Sequence, residues 1–191
     1  MKLVLASSSP RRQELLERAG FEFEVRPSGA EEVRRSGEGA EDFARRAARE
    51  KSLDVAGSSP PGSLVLGADT VVVIDGLILG KPSDRDDAAC MLRMLSGASH
   101  DVVTGVCLVR APGEILAVAH ETTMVRFRDL EEAEIRDYVE SSEPMDKAGA
   151  YAIQGLASRF VTRIEGCYFN VVGLPVSLVY GMLKPFLRLN H

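Results

Sequence analysis

Residues 64–82 read "LVLGADTVVVIDGLILGKP". Two aliphatic, β-branched runs flank Asp75-Gly76, the dipeptide preferred in a two-residue type I′ turn, so the stretch predicts a β-hairpin. Upstream, residues 3–20 read "LVLASSSPRRQELLERAG". This is a short buried strand, a serine-rich turn and a helix, with Ser9 as N-cap, Pro10 as first helical residue and Gly20 as terminator. A strand–helix unit and a hairpin in one chain argue against an all-parallel doubly wound sheet. They predict an α/β fold built on a mixed sheet flanked by helices.

The remaining segments extend that pattern. "FEFEV" (21–25) alternates with period two and reads as a strand. A polar loop, "PSGAEEVRRSGEGAE", leads into a helix from about Ala40 to Ala56. "SDRDDAACMLRMLSG" carries a capping box, Ser83 with Asp86, and an apolar helical face ending at Gly97. "HDVVTGVCLVRAPGEILAVAHETTMVRF" reads as two strands joined at Ala111-Pro112-Gly113-Glu114, and "DLEEAEIRDYVES" as a helix capped by Asp129 with Glu132. "AGAYAIQGLASRFVTRIEGCYFNVVGL" reads as strand-rich and broken by glycines, and Pro175 opens a last helix. No linker is long or polar enough to separate independent domains, so residues 1–191 are expected to form a single domain.

The bulk composition excludes several classes. Hydrophobic residues make up 45% of the 191 and charged residues 27%, an ordinary globular balance. The net charge of −5 provides no overall basic field for nucleic acid or an anionic membrane. No window offers the ~18 uninterrupted apolar residues of a membrane span. The first residues carry too short an apolar run for a signal peptide. Cys90, Cys107 and Cys167 are odd in number, lack CxxC spacing and lie among apolar residues. Buried reduced thiols and a cytoplasmic location are therefore expected. His100, His120 and His191 have no partner at metal-ligand spacing. There is no GxSxG or GxGxxG. "GLILGKPS" has the outline of a P-loop, but three residues separate its glycines where four are needed, and Pro82 stands where Ser or Thr would hold magnesium.

Four features can carry chemistry. In the turn Ser7-Ser8-Ser9-Pro10-Arg11-Arg12, two arginines occupy the positive end of a helix, where each costs roughly 0.3–1 kcal/mol. Free N–H groups, small hydroxyls and two guanidiniums suit phosphate oxygens, while a capped helix with solvated arginines is the plainer reading. Asp69 begins an otherwise apolar run. It is a candidate metal ligand or general base, or else a strand-initiating Asp bonded to local backbone. With a strict two-residue turn, the ladder sets Thr70 opposite Lys81 and points Asp69 to the other face. A bulge would bring Asp69 and Lys81 to one face. Lys51 continues the stripe Phe43–Ala47 at four-residue spacing, either snorkelling at the core edge or binding phosphate in a cleft. Finally, Glu31-Glu32 lie in the polar loop, and Gln154 sits in "YAIQG". A buried amide needs partners on both O and NH₂, which a uracil or thymine edge or a neighbouring backbone could supply.

Together these segments resemble the Maf family, the septum-formation-inhibitor-like nucleotide pyrophosphatases. The matching pieces are "LASSSPRRQELL", the "EE" at 31–32, "AREKS", "LGADTVVVIDGLILGKPSD", "AACMLRMLSGASH", "EPMDKAGAYAIQG" and "VVGLP", in the expected order from residue 3 to about residue 175. "DKAGAYAIQG" is similar to the subgroup acting on dTTP and UTP, not the subgroup acting on 7-methyl-GTP. The resemblance implies an inosine-triphosphatase-like fold, an elongated mixed sheet in two lobes around a nucleotide cleft. It also implies hydrolysis of a nucleoside triphosphate to monophosphate and diphosphate with Mg²⁺ or Mn²⁺, and it allows a homodimer.

Carried over by position, Asp69 matches the catalytic acid/base and, with Glu32, the metal-handling residues. Arg11, Thr70 and Gln154 match specificity positions. Arg12, Glu32, Lys51 and Lys81 match charged cleft residues that handle metal or phosphates, and the turn's own hydroxyls add Ser7 and Ser9 as phosphate-binding candidates. One departure is Gly29, where many members carry a further acid, which leaves fewer loop carboxylates for a metal. A non-catalytic nucleotide-binding regulator of cell division would need the arginines and Gln154 but no poised carboxylate. A structural anion-binding domain would show neither turnover nor base preference.

Overall fold

The computed structural model describes residues 2–187. In chain order the elements are β1 (Leu3–Leu5), α1 (Pro10–Arg18), β2 (Glu24–Val25), α2 (Ala40–Ala56), β3 (Leu64–Ile74), β4 (Leu77–Leu79), α3 (Arg85–Leu95), β5 (Ser99–Arg110), β6 (Glu114–Phe127), α4 (Glu132–Glu140), β7 (Val161–Glu165), α5 (Tyr168–Val172) and α6 (Val176–Leu183), with short 3₁₀ turns between α4 and β7 and after α6. The seven strands form one sheet in the order β2-β1-β3-β5-β6-β7, with β4 paired to β3. β1 runs parallel to both β2 and β3, whereas β3–β4 and β6–β7 are antiparallel. The sheet is therefore mixed, as a βα unit followed by a hairpin requires.

The hairpin forms as a strict two-residue turn. Ile74 pairs with Leu77, and Asp75 and Gly76 both have positive φ, 49° and 77°. The ladder stops at Val72–Leu79, so the expected juxtaposition of Thr70 and Lys81 is not reached. Instead the Gly80 carbonyl accepts from Gly149 N–H (3.0 Å), which turns the chain out of the sheet before Lys81.

The chain divides into two compact units. The first comprises Thr104–Glu121 and the described parts of Met1–Asp69 and Gly173–His191; the second comprises Thr70–Val103 and Thr122–Val172. In the first unit, α2 lies against the sheet over Val4, Val65, Cys107 and Val109 through Ala48, Val55 and Ala56. Contact is close at two glycines. A Cβ at Gly67 would fall 2.4 Å from the Ala48 carbonyl oxygen, and one at Gly105 would fall 2.2 Å from the Ala44 backbone. Only small residues on both sides permit that approach. In the second unit, an aromatic core joins His100, Phe127, Tyr138, Tyr151 and Phe160, mostly edge to face, with ring centroids 4.8–6.0 Å apart.

Several local expectations shift. "FEFEV" is a strand only at Glu24–Val25. The α3 N-cap is Asp84, whose carboxylate accepts from Asp87 N–H, one residue later than the Ser83 box. The α4 box is Glu131 with Glu134, two residues later than Asp129 with Glu132. Ser83 and Asp84 are both competent caps, and helix starts commonly settle a residue or two from a sequence-read cap. Residues 148–160 are 3₁₀ turns and irregular chain, and only Val161–Glu165 of the segment expected to be strand-rich is a strand. Gly149 and Ala150 adopt left-handed φ of 68° and 58°, which no pleated strand accommodates. All three cysteines are free. Cys107 is buried, but Cys90 is exposed and Cys167 half-buried, contrary to the expectation for all three. Burial raises the Cys107 thiol pKa. Among the described residues no helix is long and apolar enough to cross a membrane.

Candidate functional site

The charged residues of the first unit converge. Period two along β3 sets Asp69 on the same face as Gly67, the face that α2 covers. The close approach at Gly67 carries Lys51, beside the Ser52 that touches that glycine, onto Asp69. Lys51 Nζ donates to Asp69 Oδ1 at 2.7 Å and lies 2.5 Å from Glu32 Oε1. Lys51 is 8% exposed and Asp69 4%. Snorkelling is thereby excluded: the ammonium ends between two carboxylates and not in water. The strand-initiating reading of Asp69 fails too, since its partner is a side chain 18 residues away.

The loop bearing Glu32 is tied down at both ends. Asp54 of α2 accepts from Ser28 Oγ (2.6 Å) and Gly29 N–H (2.9 Å). Arg46, also on α2, donates to the Val33 carbonyl (2.8 Å) and pairs with both Glu38 and Glu50. The Arg46 fork holds the Glu38 carboxyl down at about 2. Neither Arg46 nor Asp54 stands out in sequence as anything but a solvated helix charge.

At the β1–α1 turn, Ser9 is the N-cap without a side-chain cap bond, and Pro10 occupies the first turn. The Ser7 hydroxyl, buried, accepts from Ser9 N–H (3.2 Å) and Arg12 Nη1 (3.3 Å). Arg12 also donates from Nε to the Gly173 carbonyl (2.8 Å) and from Nη1 to the Ala68 carbonyl (2.9 Å). Burial lowers its pKa, Asp69 and Glu32 oppose that shift, and the neighbouring Arg11 adds to it. Arg12 is thus a fixed charge held by main chain next to Asp69, not a side chain splayed into solvent. Ser7, Ser9, Arg11, Arg12, Glu32, Lys51 and Asp69 all belong to this unit.

Thr70, Lys81 and Gln154 belong to the second unit. Thr70 follows Asp69 on β3 and is half-buried. Lys81 lies just past β4, exposed. Gln154 is not the buried amide that its apolar neighbours suggest; it is exposed at the tip of a turn over Ile153–Gly155. The Gly80–Gly149 hydrogen bond ties the Lys81 end of the hairpin to the "DKAGAYAIQG" segment.

This geometry accompanies a clear kinship. The Maf-like protein family model matches residues 2–186. The chain belongs to the Maf-like family. The Maf-like chain is 53% identical over 184 residues to a dTTP/UTP pyrophosphatase of Koribacter versatilis, covering 96% of this chain and 94% of the relative. It is 54% identical over 179 residues to a dTTP/UTP pyrophosphatase of Syntrophomonas wolfei subsp. wolfei, covering 94% of each. A solved nucleoside-triphosphatase / dITP/XTP pyrophosphatase from Mycobacterium abscessus aligns over 100% of both chains, at 20% identity and a TM-score of 0.44.

Proposed function

We propose that this Maf-like chain hydrolyses nucleoside triphosphates, with dTTP and UTP as the preferred class, to the monophosphate and diphosphate. The observation that carries the reaction is the buried Lys51–Asp69 pair beside Arg12, with the exposed Glu32 carboxylate on the same ammonium. Burying opposed charges costs several kcal/mol per ion before pairing offsets it, and hydrophobic residues of similar volume would often serve a fold as well. Such a group therefore points to chemistry. The relatives' shared name supports the substrate class.

In the proposed reaction a water oxygen forms a bond to the α-phosphorus while the bond from that phosphorus to the bridging oxygen breaks, and diphosphate leaves. Asp69 accepts the water's proton, and Lys51 holds that carboxylate in orientation through the 2.7 Å bond. Arg11, Arg12 and Lys81 offset the triphosphate charge. Ser9 and the Ser7 hydroxyl proton serve phosphate oxygens; the Ser7 oxygen already accepts two bonds, which orients that proton. Gln154 and Thr70 read the pyrimidine edge.

The residues also fit a divalent cation. Among the described residues no group of three or more His, Cys, Asp and Glu side chains is arranged to hold a metal. Glu32 and Asp69, however, converge on one ammonium, and two carboxylates plus substrate oxygens are a common donor set for Mg²⁺ or Mn²⁺. Such an ion, when bound, would acidify the attacking water and neutralise phosphate charge. Asp69→Asn tests the assignment. With folding verified by circular dichroism, pyrophosphate release from dTTP is expected to fall by at least ~100-fold, and a wild-type rate would exclude Asp69 as the base.

A further inference from the structure

Gln154 stands at an exposed turn, yet a residue that discriminates bases must be held still. The chain on either side of Gln154 is gripped from one place. Before it, Ala152 N–H donates to the Tyr138 hydroxyl (3.2 Å). After it, Leu156 N–H donates to Glu143 Oε2 (3.1 Å). The two grips are joined, because Tyr138 Oη donates to Glu143 Oε1 at 2.9 Å. The turn itself closes through Gly155 N–H to the Ala152 carbonyl (3.0 Å). Gly155 faces the clamp: a Cβ there would fall 2.3 Å from Glu143 Oε1, so only glycine lets the carboxylate reach both donors. Tyr138 is wholly buried with its ring edge-to-face on Phe160 (5.3 Å). The Glu143 main chain is fixed in turn by Lys147 Nζ on its carbonyl (2.6 Å). Every one of these residues lies in the second unit.

We propose that Tyr138 and Glu143 are positioning residues that set the Gln154 turn and so determine which base the protein accepts. This rests on the reading of Gln154 as the residue that meets the base. A carboxylate is needed because both of its oxygens accept. In Glu143→Gln one oxygen becomes an NH₂ donor without a change of volume: facing Leu156 N–H it loses that bond, and facing Tyr138 it makes the hydroxyl accept from both the amide and Ala152 N–H and strips the hydroxyl proton of its carboxylate acceptor. Tyr138→Phe keeps the buried ring and loses both hydroxyl bonds, leaving the Ala152 N–H without its acceptor.

The test compares kcat/KM for dTTP with that for a purine triphosphate in the full chain. A variant that merely folds poorly lowers both values together and keeps their ratio. Glu143→Gln and Tyr138→Phe are each expected to compress the ratio by about tenfold, chiefly through a higher KM for dTTP. The double variant should do no more than either alone, because the two act through one clamp. Glu143→Asp, which keeps the charge but shortens the reach, should not restore the ratio. Gln154→Ala separates the two ideas. If it compresses the ratio while Glu143→Gln and Tyr138→Phe leave it unchanged, the clamp is overturned and the base-reading role of Gln154 stands. If Gln154→Ala leaves the ratio unchanged, that role is wrong and the proposed positioning falls with it.

Discussion

Lys51 shows how little a side chain's identity says about its task. On the α2 stripe it reads as a core-edge lysine, yet its ammonium ends 2.7 Å from Asp69 and 2.5 Å from Glu32. Removing one partner of a buried pair leaves uncompensated charge. Lys51→Met is therefore expected to cost roughly 3–5 kcal/mol of stability, measured by urea denaturation. Arg12 resolves in a similar way. Its place at the positive end of α1 is unfavourable when α1 is considered alone, but the carbonyls of Ala68 and Gly173 accept from it. The feature that suggested an anion site is thus also a structural tie spanning 161 residues of sequence.

The α2 helix positions the charges. It meets the sheet at Gly67 and Gly105, supplies Lys51 to Asp69, and holds the Glu32 loop with Arg46 and Asp54. Gly67→Ala would drive a methyl group against the Ala48 carbonyl and the Ser52 hydroxyl. A loss of roughly 1–3 kcal/mol is expected in urea denaturation, with a fall in pyrophosphate release as α2 lifts Lys51 away from Asp69. Loops and caps follow weaker rules. Ser83 and Asp84 are both good caps, and α3 takes the second, where Asp84 accepts from Asp87 N–H and the Asp87 carboxylate accepts in return from Ser83 N–H.

Part of the acid response of the whole chain can be read from its aromatic core. His100 is 3% exposed, accepts or donates through Nε2 to Tyr151 Oη (2.9 Å), and has no partner at Nδ1 among the described residues. Burial pushes its pKa down to about 4. The sign follows from linkage. Above pH ~6.5 both folded and unfolded chains carry a neutral ring, so the residue contributes nothing there. Below that value the unfolded chain binds a proton that the folded chain refuses, and stability falls until about pH 4. The residue alone should make the protein about 2 kcal/mol less stable at pH 5 than at pH 7. Urea midpoints at the two pH values, compared with those of His100→Gln, check this: the pH difference should shrink in the variant by that amount.

The mixed sheet, the hairpin at Asp75-Gly76 and helix α2 to its end residues were legible along the chain, whereas the choice between a strict and a bulged hairpin register was not. Each legible feature depends on neighbours within a few positions: period two, period 3.6, a positive-φ Asp-Gly turn. Segment 148–160 misled because buried Ala150, Tyr151, Ile153, Ala157 and Phe160 mimic a strand's apolar spacing while left-handed residues rule the strand out. The partners of the charges were not legible. That Lys51 meets Asp69, that Arg12 meets Gly173 and that Tyr138 and Glu143 grip the two sides of Gln154 depend on where folding carries distant backbone. Side-chain chemistry sets which pairings are favourable, but only close packing, such as α2 against Gly67, chooses among them.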